Sequence, residues 1–248
     1  GVVASRGARS GSSKSSFLLN GRQITLPIFV ATLVATWYGS ILGVGEFAYR
    51  DGIVEWLCLC FFYYISALAF GFFAAGKVRR FNFYTIPEQI AANYGRAAGT
   101  SASVIVLLLT IPASYVLMLG VLVQLFTGWS IEASCAAGAV ISFAFLLSGG
   151  FRADVLTNTV QFVLMYLGFG VMAYFLLTAL GSPSDMLARL PDAHKTLTGN
   201  YSWQYIVSWF VISLQTFVDP SFHQRCAAAK SPNVARRGVF ISVACWII

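Results

Sequence analysis

Apolar residues along this chain come in long stretches separated by short polar ones. Stretches near 24–48, 53–76, 98–127, 131–149, 154–180 and 203–222 are followed by a seventh that begins near residue 239. About 20 apolar residues in a helix span a hydrocarbon layer of roughly 30 Å, so each complete stretch is long enough to cross a membrane. None of them alternates with the two-residue period of a membrane β-strand. The pattern predicts an all-α polytopic membrane protein.

The first stretch is interrupted. Its segment "ATWYGSILGVGEFAY" carries Gly39, Gly43 and Gly45, with Ser40 and Glu46 among them. Each glycine weakens a helix by about 1 kcal/mol relative to alanine. In hydrocarbon, irregular backbone persists only where protein or a water-filled cavity surrounds it. The cluster therefore has two readings. It marks a helix break at Gly39, Gly43 and Gly45, where freed carbonyls and the Ser40 hydroxyl meet a small cation or polar solute, or it marks close helix packing through small residues. Trp37 and Tyr38 flank the break and are the aromatics best placed to touch a solute.

Composition agrees with a bilayer solvent: 58% of residues are hydrophobic and 10% charged, against about 25% charged in a soluble domain. The formal net charge of +7 would by itself admit a nucleic-acid partner, but its placement argues against one. With the Ser/Gly-rich basic loop 1–22 set in the cytoplasm and the stretches alternating, only Arg50, Arg189 and Lys195 of the 16 Lys and Arg fall outside. That is the bias that orients membrane helices. The charge is topological, and no nucleic-acid partner is expected. Residues 1–22 read as a cytoplasmic N-terminal loop and 23–248 as the transmembrane domain of an integral plasma-membrane protein. The sequence opens on Gly1 and closes inside an apolar run, so further helices are expected beyond both ends.

Polar groups within the apolar stretches are the candidates for chemistry. Glu55, in "GIVEWLCLC", either faces a cavity or snorkels to the outer interface. Asp154, Asn158 and Gln161 recur at i, i+4, i+7 and share one helix face, as a pathway lining or as interhelical hydrogen-bonding. Gln215 and Asp219 sit one turn apart before Pro220, which interrupts the helix by removing a donor. Asp219 is expected to pair with Arg225 or His223. Thr85 and Glu88, in "TIPEQIAANYG", have the spacing of a capping box. The five cysteines show no metal-ligand spacing and read as packing residues.

Four motifs, in order, carry a resemblance to the sodium:solute symporter family. "ATWYGSILGVGEFAYRDG" resembles its first core helix, and "YTIPEQIAANYG" the stretch between its second and third. "SGGFRADVLTNTVQ" is similar to the turn into its fifth, and "DPSFHQRCAAAKSPNVARRG" to the end of its sixth. The resemblance implies an inverted-repeat fold of five plus five helices, leucine-transporter-like and incomplete in this chain. It also implies a sodium ion held by the backbone carbonyls of Ala35 and Tyr38 together with groups on the eighth core helix. Glu55 matches a glutamate that bonds solute in sugar carriers. Gln215 falls where those carriers place an aromatic gate, and Asn158 stands where the family often has an aspartate.

The expected function is sodium-coupled uptake of a small polar organic solute by alternating access. The solute would be sugar, amino acid, carboxylate or vitamin-like, bound near Trp37, Ser40, Glu55 and Gln215. Asp154, Asn158 and Gln161 would line the pathway. Sodium is then the coupling ion, with no organic cofactor. The rival reading is a transporter-like sensor domain of a histidine kinase. Nothing in the sequence pairs carboxylates, clusters histidines or builds a nucleophile in the manner of an enzyme.

Overall fold

A computed structural model describes residues 18–38, 41–81 and 83–247. Apart from an isolated bridge between Ile24 and Ala229, the regular structure among them is helical. In chain order the main helices are α1 (Leu26–Trp37), α2 (Ile41–Asp51), α3 (Trp56–Phe81), α4 (Ile86–Tyr94), α5 (Arg96–Leu109) and α6 (Ala113–Thr127). They continue as α7 (Ile131–Leu180), α8 (Pro183–Arg189), α9 (Trp203–Ser213), α10 (Pro220–Ala228) and α11 (Pro232–Ile247).

Three spans are long and apolar enough to cross a membrane: Trp56–Phe81, Arg96–Thr127 and Gly150–Leu180, with the bent pair α1 and α2 as a fourth. The other expected stretches are divided. At Gly150, φ 54° and ψ −157° kink α7, a conformation that glycine adopts without steric penalty. This leaves Ile131–Phe145 as a shorter apolar helix. The stretch expected at 203–222 ends its α-helical part at Ser213 and runs through a 3-10 turn, Leu214–Phe217, before α10 begins at Pro220. Within α3, wider π-helical turns occupy Trp56–Phe61 and Gly71–Ala75.

The protein interior forms around α1, which packs on α7 and α11, while α10 and α3 close the same core. Phe29, Leu33 and Val34 of α1 meet Phe70, Phe222, Val239 and Trp246 in one buried cluster. By contrast, Leu107, Leu125, Phe126, Val140, Leu167 and Phe175 are exposed, as expected of faces that look onto lipid. The start of α1 is tied to the end of α10: the Ile24 N–H donates to the Ala228 carbonyl at 3.1 Å and the Lys230 N–H to the Ile24 carbonyl at 2.9 Å. The Thr85 side chain caps α4 by accepting from the Glu88 N–H at 3.2 Å, and Glu88 returns a bond to the Tyr84 N–H rather than to Thr85.

At the opposite end the 181–202 loop folds onto the mouth of α3. Its His194 carbonyl accepts from the Ile53 N–H at 3.0 Å, and the Tyr201 hydroxyl donates to Asp51 Oδ1 at 2.8 Å. That bond to Asp51 raises the Tyr201 pKa above the ordinary value, about 10 for a free tyrosine. A group with a raised folded pKa contributes its stability fully below its unfolded pKa and loses it as pH climbs through the folded one. The difference between ultraviolet titrations of the wild type and Tyr201→Phe should therefore place the ionisation of Tyr201 above the ordinary tyrosine range. In the Asp51→Asn background the same difference should move back toward the ordinary value, because the hydroxyl loses its carboxylate acceptor.

Candidate functional site

The site begins where α1 stops. Its helical backbone ends at Trp37, and the capping Tyr38 N–H makes the last regular bond, to the Val34 carbonyl four residues back, while also reaching the Thr36 carbonyl. The helix that follows, α2, is inclined by 53° to α1. The final carbonyls of any helix lack intrahelical donors, and Ala35 and Tyr38 belong to this last turn. Gly39 and Ser40 lie outside the described residues. Gly43 and Gly45 are not at the interruption: both are inside α2, with open space where a Cβ would stand. An exposed Glu46–Arg50 pair at 3.2 Å, one turn apart, supports α2, a contact that favours helix over unwinding. Pro220 likewise does not distort a continuing helix. It opens α10, directly after a break at residues 218–219, because a proline needs no donor at a first turn.

Two chambers meet at this level. One, of about 190 Å³, is lined by Trp37, Tyr63, Gln215, Asp219 and Phe222, among others. The Gln215 Nε2 donates to the Tyr63 hydroxyl at 3.0 Å. The Trp37 ring meets Tyr63 edge-on at 5.0 Å and Phe222 at 6.1 Å, and lies against Trp246 at 4.9 Å. The chamber thus brings together Trp37 and Gln215, two of the expected solute residues.

The second chamber, of about 940 Å³, gathers Ala35, Asp154, Asn158, Gln161 and Arg225. Thr36, Tyr115 and Ser221 line both. Its centre is a polar junction of three helices. The Arg225 guanidinium donates through Nη2 to Asp154 Oδ2 at 3.3 Å and to the Thr36 hydroxyl, and through Nη1 to the Ser221 carbonyl at 3.3 Å. Asn158 Nδ2 lies 3.5 Å from the same Thr36 oxygen. The Arg225 side chain is 4% exposed, while Asp154 is 39% exposed, so the charge in need of compensation is the guanidinium.

This junction replaces the expected pairing of Asp219 with Arg225 or His223. Asp219 instead caps α10, its Oδ1 accepting from the Ser221 N–H at 2.6 Å and the Phe222 N–H at 3.3 Å. His223 Nε2 bonds the Phe217 carbonyl at 2.8 Å. The break at 218–219 leaves α10 with unpaired N–H groups, and the nearest carboxylate takes them.

Glu55 is buried, 7% exposed, and its carboxylate accepts a thiol hydrogen bond from Cys60 at 3.6 Å. It neither snorkels to the interface nor lines the chamber of Trp37 and Gln215. Sequence reasoning missed Thr36, Tyr63 and Phe222. Thr36 had a usable signal, a hydroxyl one residue before the break, whereas the two aromatics are indistinguishable by sequence from lipid-facing ones.

The family model of the sodium:solute symporter family matches residues 17–248. The chain belongs to the sodium:solute symporter family. Among relatives of this symporter chain, the sodium/pantothenate symporter of Escherichia coli (strain K12) is 25% identical over 256 residues, covering 97% of this chain and 53% of the relative. The high-affinity choline transporter 1 of Drosophila melanogaster is 26% identical over 180 residues, covering 68% of this chain and 28% of the relative. Its Caenorhabditis elegans counterpart is 27% identical over 169 residues, covering 66% and 29%. The chain thus spans between about a quarter and a half of these relatives' lengths. As a member of the symporter family, with apolar helices of spanning length, it is an integral protein of the plasma membrane.

Proposed function

We propose that the protein is a sodium-coupled symporter that takes up a small polar organic solute by alternating access, within an inverted repeat of five plus five helices. The observation that carries this reading is the end of α1 at Trp37–Tyr38, beside two chambers that share Thr36. Last-turn carbonyls of the Ala35 and Tyr38 kind are hard oxygen donors suited to an alkali cation, and a broken helix beside a cavity is the arrangement by which such carriers hold ion and solute. In this reading the solute sits in the smaller chamber against Trp37 and Gln215. Asp154, Asn158 and Gln161 line the exit through the larger one, with the Arg225–Asp154 contact holding α7 to α10. Membership of the family, with relatives named for pantothenate and choline transport, supports a carrier over a kinase-linked sensor.

One charge moving across 100 mV supplies about 2.3 kcal/mol, roughly 50-fold accumulation. Proteoliposomes holding the full-length protein should therefore concentrate solute under an inward sodium gradient and stop when potassium replaces sodium. Uptake indifferent to that exchange would overturn the coupling.

A further inference from the structure

We infer that the chamber beside Trp37 takes a small organic monocation, of substituted- or quaternary-ammonium type, as its solute. The inference rests on the symport reading for the word solute, and on the chamber alone for the charge. Four aromatic side chains, Trp37, Tyr63, Tyr115 and Phe222, line a space of about 190 Å³. That is below the roughly 300–1,000 Å³ of pockets that take drug-sized ligands, so the occupant is small. Three of the rings are held against one another, Trp37 contacting Tyr63 at 5.0 Å and Phe222 at 6.1 Å. Tyr63 and Phe222 are buried. Rings fixed in this way need no ordering on binding, and the face of each carries negative potential.

The charge of the lining points the same way. Among the described lining residues Asp219 is the one carboxylic acid, and none is Lys or Arg. Capping occupies Asp219 Oδ1 alone. The Arg225 guanidinium lies behind the wall, donating to the Thr36 hydroxyl and the Ser221 carbonyl that line both spaces, but it opens into the other chamber, where Asp154 compensates its charge. An anionic solute would meet a carboxylate and ring faces, both repulsive. A neutral polyol would find partners in Thr36, Gln215, Thr216 and Ser221 but would gain nothing from the charge of Asp219 or the rings. A cationic head group is attracted by both, and the Gln215 amide bonded to the Tyr63 hydroxyl offers a polar end for a hydroxyl or carbonyl tail.

Calorimetric titration of the full-length protein, using choline, its uncharged carbon isostere 3,3-dimethylbutanol and the anion pantothenate as probes, tests this. Choline should bind about tenfold or more tighter than the isostere, the size of one to two cation–π contacts in a dry site. Trp37→Leu should cut choline affinity about tenfold, with Trp37→Phe intermediate. Asp219→Asn keeps an amide that caps α10 as well as aspartate does, so it should weaken choline several-fold and leave the isostere unchanged. Equal binding of choline and isostere, preference for pantothenate, or an Asp219→Asn loss shared by both neutral and cationic probes would overturn the inference. Choline binding with the expected variant pattern but without sodium-driven uptake would uphold the chamber and refute the symport reading. Sodium-driven uptake of pantothenate that choline fails to displace would do the reverse.

Discussion

Gly238→Ala is expected to lower the stability of the purified protein by about 3 kcal/mol, a single methyl group notwithstanding. An added Cβ at Gly238 would stand 2.2 Å from Phe29 Cδ1, 2.6 Å from Cε1 and 2.8 Å from Cγ. Phe29 is fully buried in the cluster that joins α1 to α11, so its ring has nowhere to rotate and the two helices must part. Overpacking of this kind typically costs 1–3 kcal/mol, and separating α1 from a helix on which it packs along its length places Gly238 at the upper end. Apparent unfolding temperature in detergent, followed by tryptophan fluorescence, is the measurement. Phe29→Leu combined with Gly238→Ala should recover part of the loss, because the smaller side chain vacates the space the methyl enters. If Gly238→Ala unfolds at the wild-type temperature, the α1–α11 contact is looser than described.

Asp154→Leu should destabilise by about 2 kcal/mol, and adding Arg225→Met should restore most of it. Removing one partner of a fully buried ion pair costs about 3–5 kcal/mol, since the remaining charge is stranded. Arg225 meets that condition at 4% exposed, but Asp154, at 39%, is partly screened by solvent, which moves the expectation down. For a chain of this length 2 kcal/mol corresponds to roughly 4–8 °C in apparent unfolding temperature. The double variant leaves neither charge and fills the site with an unbranched apolar side chain. Its recovery separates electrostatic loss from lost packing. Two additive single losses would mean that the pair contributes no coupling between α7 and α10.

Both predictions turn on partners that the linear chain concealed, Phe29 for Gly238 and Arg225 for Asp154. The glycines that drew notice by clustering, Gly43 and Gly45, sit in α2 beside open space, while the close helix approach that small residues permit occurs at the unremarkable Gly238. The i, i+4, i+7 row of Asp154, Asn158 and Gln161 was legible because helical spacing fixes which residues share a face, and all three line one chamber. Their partner Arg225, 71 positions from Asp154 in sequence, was assigned to Asp219 because a neighbour four to six residues away is the default reading of a short polar run. The chain break before α10 reversed that choice by giving Asp219 backbone donors to satisfy. Glu46 and Glu55 look alike on paper. One lies on an exposed helix face beside Arg50, the other is buried beside Cys60.

What the sequence determined by itself was the apolar solvent and the helical class, together with the motifs that carry the family resemblance; of the complete stretches expected, three keep spanning length and the others are bent or divided. Solvent and helical class follow from composition and local backbone physics, whereas the motifs are legible only by their resemblance to a known family. Which apolar residues face protein was decided only by the tertiary structure: Phe29 is fully buried and Phe126 is 85% exposed, although both sit in unbroken apolar runs. In water the two faces of a helix differ in polarity and the pattern reveals the inner one. In lipid both faces are apolar, so burial is settled by packing, and with it the rings around Trp37 and the company kept by Arg225.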